Sequence, residues 1–104
     1  MATPEGKVKI AVVKLLNKYN AYYFFPPANG YGRSGIPDVV CCVKGKFLAI
    51  ECKARLNKTT ALQDREISRI HTAKGHAMVV NERNIDLLEQ VLKELMHDDK
   101  EGNP

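Results

Sequence analysis

The sequence has only three cysteines, Cys41, Cys42 and Cys52. An odd number, all within apolar strand-like runs, argues against a disulfide framework and for buried, reduced thiols in a cytosol. Their spacing lacks the paired pattern of a zinc site. No apolar run approaches the roughly 20 residues of a membrane span, and the N-terminus lacks the apolar core of a secretory leader. His71 and His76 show no ligand spacing with each other or with the acids. No serine, histidine and acid set suggests nucleophilic catalysis, and no glycine pattern matches a phosphate-binding loop. The expectation is a soluble, cytoplasmic protein without membrane contact or small-molecule cofactor.

What is present is a basic chain of 104 residues with a net charge of +4 and a pI near 9.0. That length suits one domain, expected over residues 1–97, with a frayed polar tail over 98–104. A domain this small buries only roughly 60–70% of its unfolded surface, so a buried carboxylate needs a reason. The charge favours an anionic partner, modestly.

Hydrophobic spacing and end signals predict the element order αβββαβα. Thr3, Pro4 and Glu5 open a helix as cap, first-turn proline and dipole partner. Val8, Val12, Leu15, Leu16 and Tyr19 form its apolar stripe, which Glu5 shares, and Asn20 ends it. Residues 21–25 read as an aromatic strand stopped by Pro26 and Pro27, and residues 28–35 as a glycine-rich loop. Residues 38–43 and 47–53 are strands joined by a turn at Lys44, Gly45 and Lys46. Thr60 to Gln63 fits a capping box, opening a helix whose inward face carries Gln63, Ile67 and Ile70 and which stops at Lys74 and Gly75. Residues 76–80 form a strand reached by a parallel crossover. Residues 84–96 form a last helix with Ile85, Leu88, Val91, Leu92 and Leu95 inward.

Strand alternation turns the hairpin into a test. Glu51 and Lys53 share a face and Cys52 points away. A two-residue loop at Lys44-Gly45 sets Asp38 opposite Glu51; at Gly45-Lys46 it sets Asp38 opposite Lys53. Both gather Asp38, Glu51 and Lys53 on one face, whereas a three-residue loop without a bulge sends Asp38 to the other. Two neighbouring carboxylates repel, and a divalent cation removes the conflict. Magnesium takes one or two carboxylates plus waters and substrate phosphate, and the backbone carbonyl of Cys52 offers a further oxygen. Lys53 could hold an attacking water or neutralise charge growing on a phosphate. Arg33, Lys44, Lys46, Arg55, Lys58 and Arg65 could track a phosphate backbone, and Tyr31 could stack on an unpaired base.

Pro37-Asp38 followed by Glu51-x-Lys53 resembles the PD-(D/E)xK nuclease superfamily. With Glu5, Gly35-x-Pro37-Asp38, Ile50-Glu51-Cys52-Lys53 and Gln63 taken together, the chain is similar to the virus-type replication-repair nuclease (VRR-Nuc) domain, stand-alone phage members included. The resemblance implies an α/β, restriction-endonuclease-like αβββαβ core with a mixed central sheet and a C-terminal helix. It implies Mg²⁺- or Mn²⁺-dependent endonuclease hydrolysis of DNA, leaving a 5′-phosphate and a 3′-hydroxyl. Metal ligands would be Asp38, Glu51 and the Cys52 carbonyl, with Glu5 in or beside the set; Lys53 would be catalytic, and Gln63 would orient the site or approach DNA. Arg33, Tyr31, Arg55 and Lys58 are the expected DNA contacts. By analogy with phage members, a homodimer would cut branched DNA such as four-way junctions, in a host cytoplasm if the chain is phage-encoded. Two alternatives stand beside this: another nuclease of the superfamily acting on single-stranded, flap or duplex DNA, and a non-catalytic DNA-binding module.

Overall fold

A computed structural model of the chain describes residues 2–27 and 33–97. Tyr31 and the expected tail at 98–104 lie outside them. The elements are α1 (Pro4–Lys18), β1 (Tyr22–Phe24), β2 (Val39–Val43), β3 (Lys46–Cys52), α2 (Ala61–Thr72), β4 (His76–Val80) and α3 (Ile85–Met96). The α/β class and element order are those the sequence predicts. Strand limits differ by a residue or two, because pairing, not propensity, sets where a ladder ends.

Local chemistry explains the ends. Thr3 Oγ1 accepts the Gly6 N–H at 3.0 Å and Pro4 occupies the first turn. Asn20, at φ 56°, closes α1 with Ala21 N–H donating to Leu16 O and Asn20 N–H to Asn17 O. The same six-to-one and five-to-two pair closes α2, but Lys74, at φ 71°, takes the left-handed position expected of Gly75. Gly75 serves space instead: a Cβ there would stand 3.0 Å from Phe47 Cδ1 and from Ile70 Cγ2.

The sheet runs β1-β2-β3-β4, antiparallel except for the parallel β3–β4 pair. Its two faces differ in kind. One carries Val39, Cys41, Val43, Leu48, Ile50 and Cys52, all buried against Val8, Val12 and Leu16 of α1 and Leu88, Leu92 and Leu95 of α3. Lys46 reaches from this side to Leu95 O at 3.0 Å, a cation at the negative end of α3. That takes Lys46 out of the predicted set of phosphate-tracking residues. The other face is only partly covered, by α2. Cys42 falls on it and is exposed, contrary to the expected burial of all three thiols; adjacent strand residues cannot share a face. Burial pushes the Cys41 and Cys52 thiols up to about 12.

The outer edge of β4 is blunted. Lys53 N–H donates to Val80 O, so Ala77 and Val79 turn outward, and their carbonyls accept from His71 Nε2 at 3.3 Å and Asn84 Nδ2 at 2.8 Å.

Gly35 and Gly45 both have positive φ, 87° and 81°. A Cβ on Gly35 would lie 2.5 Å from the Leu62 carbonyl carbon and oxygen, whereas Gly45 faces open space. Gly45→Ala is therefore expected to cost about 1–2 kcal/mol, the left-handed penalty alone. Gly35→Ala adds a backbone overlap and is expected to cost at least about 3 kcal/mol. Urea denaturation of the two variants tests the ranking, and equal losses would contradict the close approach of Gly35 to α2.

Candidate active site

The turn at Lys44-Gly45 has positive φ at both residues, 51° and 81°, and Val43 pairs with Lys46. Of the two expected hairpins this is the one that sets Asp38 opposite Glu51, one step beyond the Val39–Ile50 pair. Both carboxylates lie on the α2 side of the sheet. Asp38 Oδ2 accepts the Cys52 N–H at 2.9 Å, so a side chain completes the ladder where β2 begins. Continuing the register puts Pro37 opposite Cys52. A proline has no N–H to give, so the Cys52 carbonyl receives no ladder donor from it.

Glu51 is only 3% exposed. Its Oε2 accepts from Gln63 Nε2 at 3.0 Å and lies 3.8 Å from Lys53 Nζ. The Gln63 amide has two tasks. Its Oε1 accepts the Thr60 N–H at 2.9 Å, closing the capping box with Thr60 Oγ1, which accepts from Gln63 N. A backbone N–H can only donate, so the amide oxygen must face Thr60 and the NH₂ must face Glu51. Capping and contact with the acid site, which the sequence poses as rival roles, are one arrangement.

Burial first, and then the charge of Asp38, push the Glu51 carboxyl up to about 7 against the opposing pull of Lys53. Glu5 adds a smaller push in the same direction from the start of α1. Among the described residues no three acid, imidazole or thiol groups converge into a complete cation cage. The pair with the Cys52 carbonyl nonetheless fits a hard, water-retaining ion, which takes few protein ligands and leaves places for water and phosphate. A cation would also relieve the repulsion that now raises Glu51.

The remaining candidates lie around this centre. Arg33 is gripped by Glu66: its Nε donates to Oε2 at 2.9 Å and its Nη2 to Oε1 at 3.1 Å. Glu66, 3% exposed, is the acid that sequence reasoning missed. The α2 stripe predicts Gln63, Ile67 and Ile70 inward, and those are partly buried, but the most buried residue of α2 is charged. An isolated acid carries no periodic signal; Arg65 and Arg69 flanking it were the only available hint. The Arg33 hydrogen bonds, chiefly, hold the Glu66 carboxyl below the usual range. Arg55, at φ 57°, gives its N–H to Glu82 and leaves its side chain exposed, as is Lys58.

The sequence model of the archaeal Holliday junction resolvase (Hjc) family matches residues 12–95. The chain belongs to that family. The matched span includes Asp38, Glu51, Lys53 and Gln63 and begins after Glu5. A solved structure of a VRR_NUC domain superposes with a TM-score of 0.73 at 23% identity, covering 86% of this chain and 97% of that one. The fold is therefore the one that the motif resemblance implies. The chain is also 43% identical over 61 residues to p44, a protein named as a nuclease from Acyrthosiphon pisum secondary endosymbiont phage 1. That match covers 58% of this chain and spans about 60% of the length of p44. Among the described residues, no helix is long and apolar enough to cross a membrane.

Two outcomes are expected. Glu51 titrates higher folded than its ordinary 4.5, so its stabilising contribution is complete below 4.5 and is lost as pH rises through about 7. In EDTA, melting temperature should thus fall more between about pH 5 and about pH 8 for wild type than for Glu51→Gln; parallel profiles would contradict the burial effect. For Gln63, replacement by Glu keeps an acceptor for Thr60 but turns a carboxylate toward Glu51. Gln63→Glu should therefore destabilise more than Gln63→Ala at about pH 8 and lose that excess near pH 5, as read by urea titration at both.

Proposed function

We propose that the chain is a divalent-metal-dependent endonuclease that hydrolyses DNA phosphodiesters, acting on branched DNA such as four-way junctions. The observation that carries the reading is the pairing of Asp38 with buried Glu51 across the hairpin, with Lys53 Nζ 3.8 Å from the Glu51 carboxylate. A carboxylate pair with one member buried has no structural use in so small a core, and a hydrophobic residue in place of Glu51 would be less costly. Mg²⁺ or Mn²⁺, held by Asp38, Glu51 and the Cys52 carbonyl, would supply Lewis-acid polarisation of the phosphodiester and acidify water.

The chain's own residues do the rest. Lys53 places an ammonium beside the carboxylates, where it can orient a water or offset charge growing on the phosphate. Gln63 holds one oxygen of Glu51 and so sets the direction of the other. Glu5 contributes negative charge nearby and would attract the cation or orient its water. Exposed Arg55 and Lys58 follow the site along the chain and suit contact with a DNA backbone. The products would be a 5′-phosphate and a 3′-hydroxyl.

The preference for branched DNA rests on family membership, and so does the working unit of two copies. One small site cuts one strand, and a symmetric junction offers two equivalent strands to a two-fold dimer. Nucleases acting on flaps, single strands or linear duplex are separated from this reading by the substrate, and a non-catalytic module by the absence of cutting.

In Mg²⁺ or Mn²⁺, wild type is expected to cut a four-way junction in preference to linear duplex, flap and single strand of matching sequence. Asp38→Ala should lose at least about a hundredfold in rate, about 2.7 kcal/mol of barrier, while retaining junction binding by gel shift. EDTA should abolish cutting by wild type. Equal rates for wild type and Asp38→Ala would remove the carboxylate pair from the chemistry.

A further inference from the structure

The uncovered half of the functional face has an order of its own. Directly opposed residues in an antiparallel ladder share a face, and the register sets Tyr22 beside Cys42 and Cys42 beside Phe47. The next row toward the site is Phe24, Val40 and Ala49, and the row after it contains Asp38 and Glu51. Rows on one face are about 7 Å apart, so the Tyr22–Phe47 row stands about 14 Å from the carboxylates. Tyr22 is 71% exposed, Phe24 48% and Phe47 43%. Three large aromatic rings on one sheet face are thus partly open to solvent and aligned with the acid pair, and of these Phe47 alone packs beside α2, near Ile70 and Gly75.

Beside this row, between Phe47 and α2, lies a cleft of about 420 Å³ lined by Arg33, Phe47, Glu66, Arg69, Ile70 and Gly75 among others. Its apolar wall is Phe47 against Ile70, brought together because Gly75 has no side chain. Its other wall is cationic. Arg33 and Arg69 line it, and Arg65, outside the lining, approaches the same Glu66 carboxylate, so the group of three guanidiniums and one acid is net positive. Arg33 is committed to Glu66 through two hydrogen bonds. Arg65 and Arg69 stand off at 3.8 Å with half or more of their side chains exposed, keeping donors for another anion. Arginine forks beside an apolar, ring-lined wall match a nucleotide: a flat base on the rings and a phosphate on the guanidiniums.

We propose that this cleft and the Tyr22–Phe47 row form a subsite for an unpaired nucleotide of the DNA strand whose phosphodiester lies at Asp38 and Glu51. The proposal rests on the nuclease reading and deepens it. A duplex keeps its bases stacked on each other and cannot offer them to a sheet face, whereas a strand opened beside a branch point can. The subsite therefore gives preference, over closed linear duplex, for DNA whose bases open next to the cut, as at a branch point.

The test is fluorescence anisotropy in EDTA, where no cutting occurs, with a labelled duplex and the same duplex carrying a single-stranded extension. Wild type is expected to bind the extended form more tightly. Tyr22→Ala should weaken binding of the extended form about tenfold, equivalent to about 1.4 kcal/mol for one lost stack, and that of the duplex less than about twofold. Tyr22→Phe should restore the preference, and Tyr22, being mostly exposed, can be replaced without loss of fold, as a melting curve on each variant verifies. Equal weakening of both DNAs, or no change in either, overturns the subsite. So does a sedimentation result in which Tyr22→Ala splits a dimer while DNA preference is unchanged, because the face would then belong to a second copy. Failure of wild type to bind any DNA sinks the nuclease reading itself, whereas duplex binding without preference for the extension sinks only this proposal.

Discussion

Two carboxylates held face to face across a β-hairpin, one of them almost wholly out of water, are the constraint on which the surrounding architecture depends. Asp38 and Glu51 repel, and burial raises the energy of Glu51 further. Such an arrangement survives only if its geometry is over-determined. Here the left-handed pair Lys44-Gly45 fixes the register, and Gly35 packs its backbone against the first turn of α2. The Cys52 N–H engages Asp38, and the Gln63 amide, clamped by its own helix cap, engages Glu51. Asp38 is thus tied to a backbone N–H directly, and Glu51 through an amide that is itself tied to the Thr60 N–H, which holds both acids in place.

The sheet separates stability from chemistry by face. Aliphatic side chains of α1, β2, β3 and α3 interlock on one side and supply the burial that holds the fold. The side facing α2 carries acids, arginines, aromatic rings and an exposed thiol. Helix α2 has one buried residue, and it is Glu66. Along its length it makes two polar contacts, Gln63 with Glu51 and Glu66 with Arg33, and then lines the apolar wall of a cleft with Ile70 facing Phe47. Substitutions on the apolar side should register first as stability and those on the α2 side first as function, because only the latter face has residues that solvent or substrate can reach.

Membership of a junction-resolvase family and the shared fold of a VRR_NUC domain fit this division of labour. At 23% identity over most of both chains, the VRR_NUC likeness is one of architecture. An architecture can persist under sequence change where any aliphatic side chain of similar volume will serve. The hairpin register and the helix cap permit no such freedom, since a slip of one residue moves Asp38 to the opposite face.

Much of this was legible in the residues. Element order followed from periodicity and end signals, because caps, prolines and alternation act locally. The hairpin could be narrowed to two registers, since a two-residue glycine loop admits few backbone solutions. What stayed hidden depends on partners far apart in the chain. Glu66 is buried because Arg33 comes back over it from thirty-three residues away. Cys42 is exposed because it falls on the face away from the aliphatic core, where α2 packs chiefly on β4, and Lys46 caps a helix forty-nine residues later. The sequence by itself determined which residue types could meet on one strand face, because backbone alternation and turn geometry are short-range rules. Only the tertiary structure decided how far Glu51 is dried, which way the Gln63 amide points and which rings stay open to solvent, because desolvation and shielding depend on how separate elements pack.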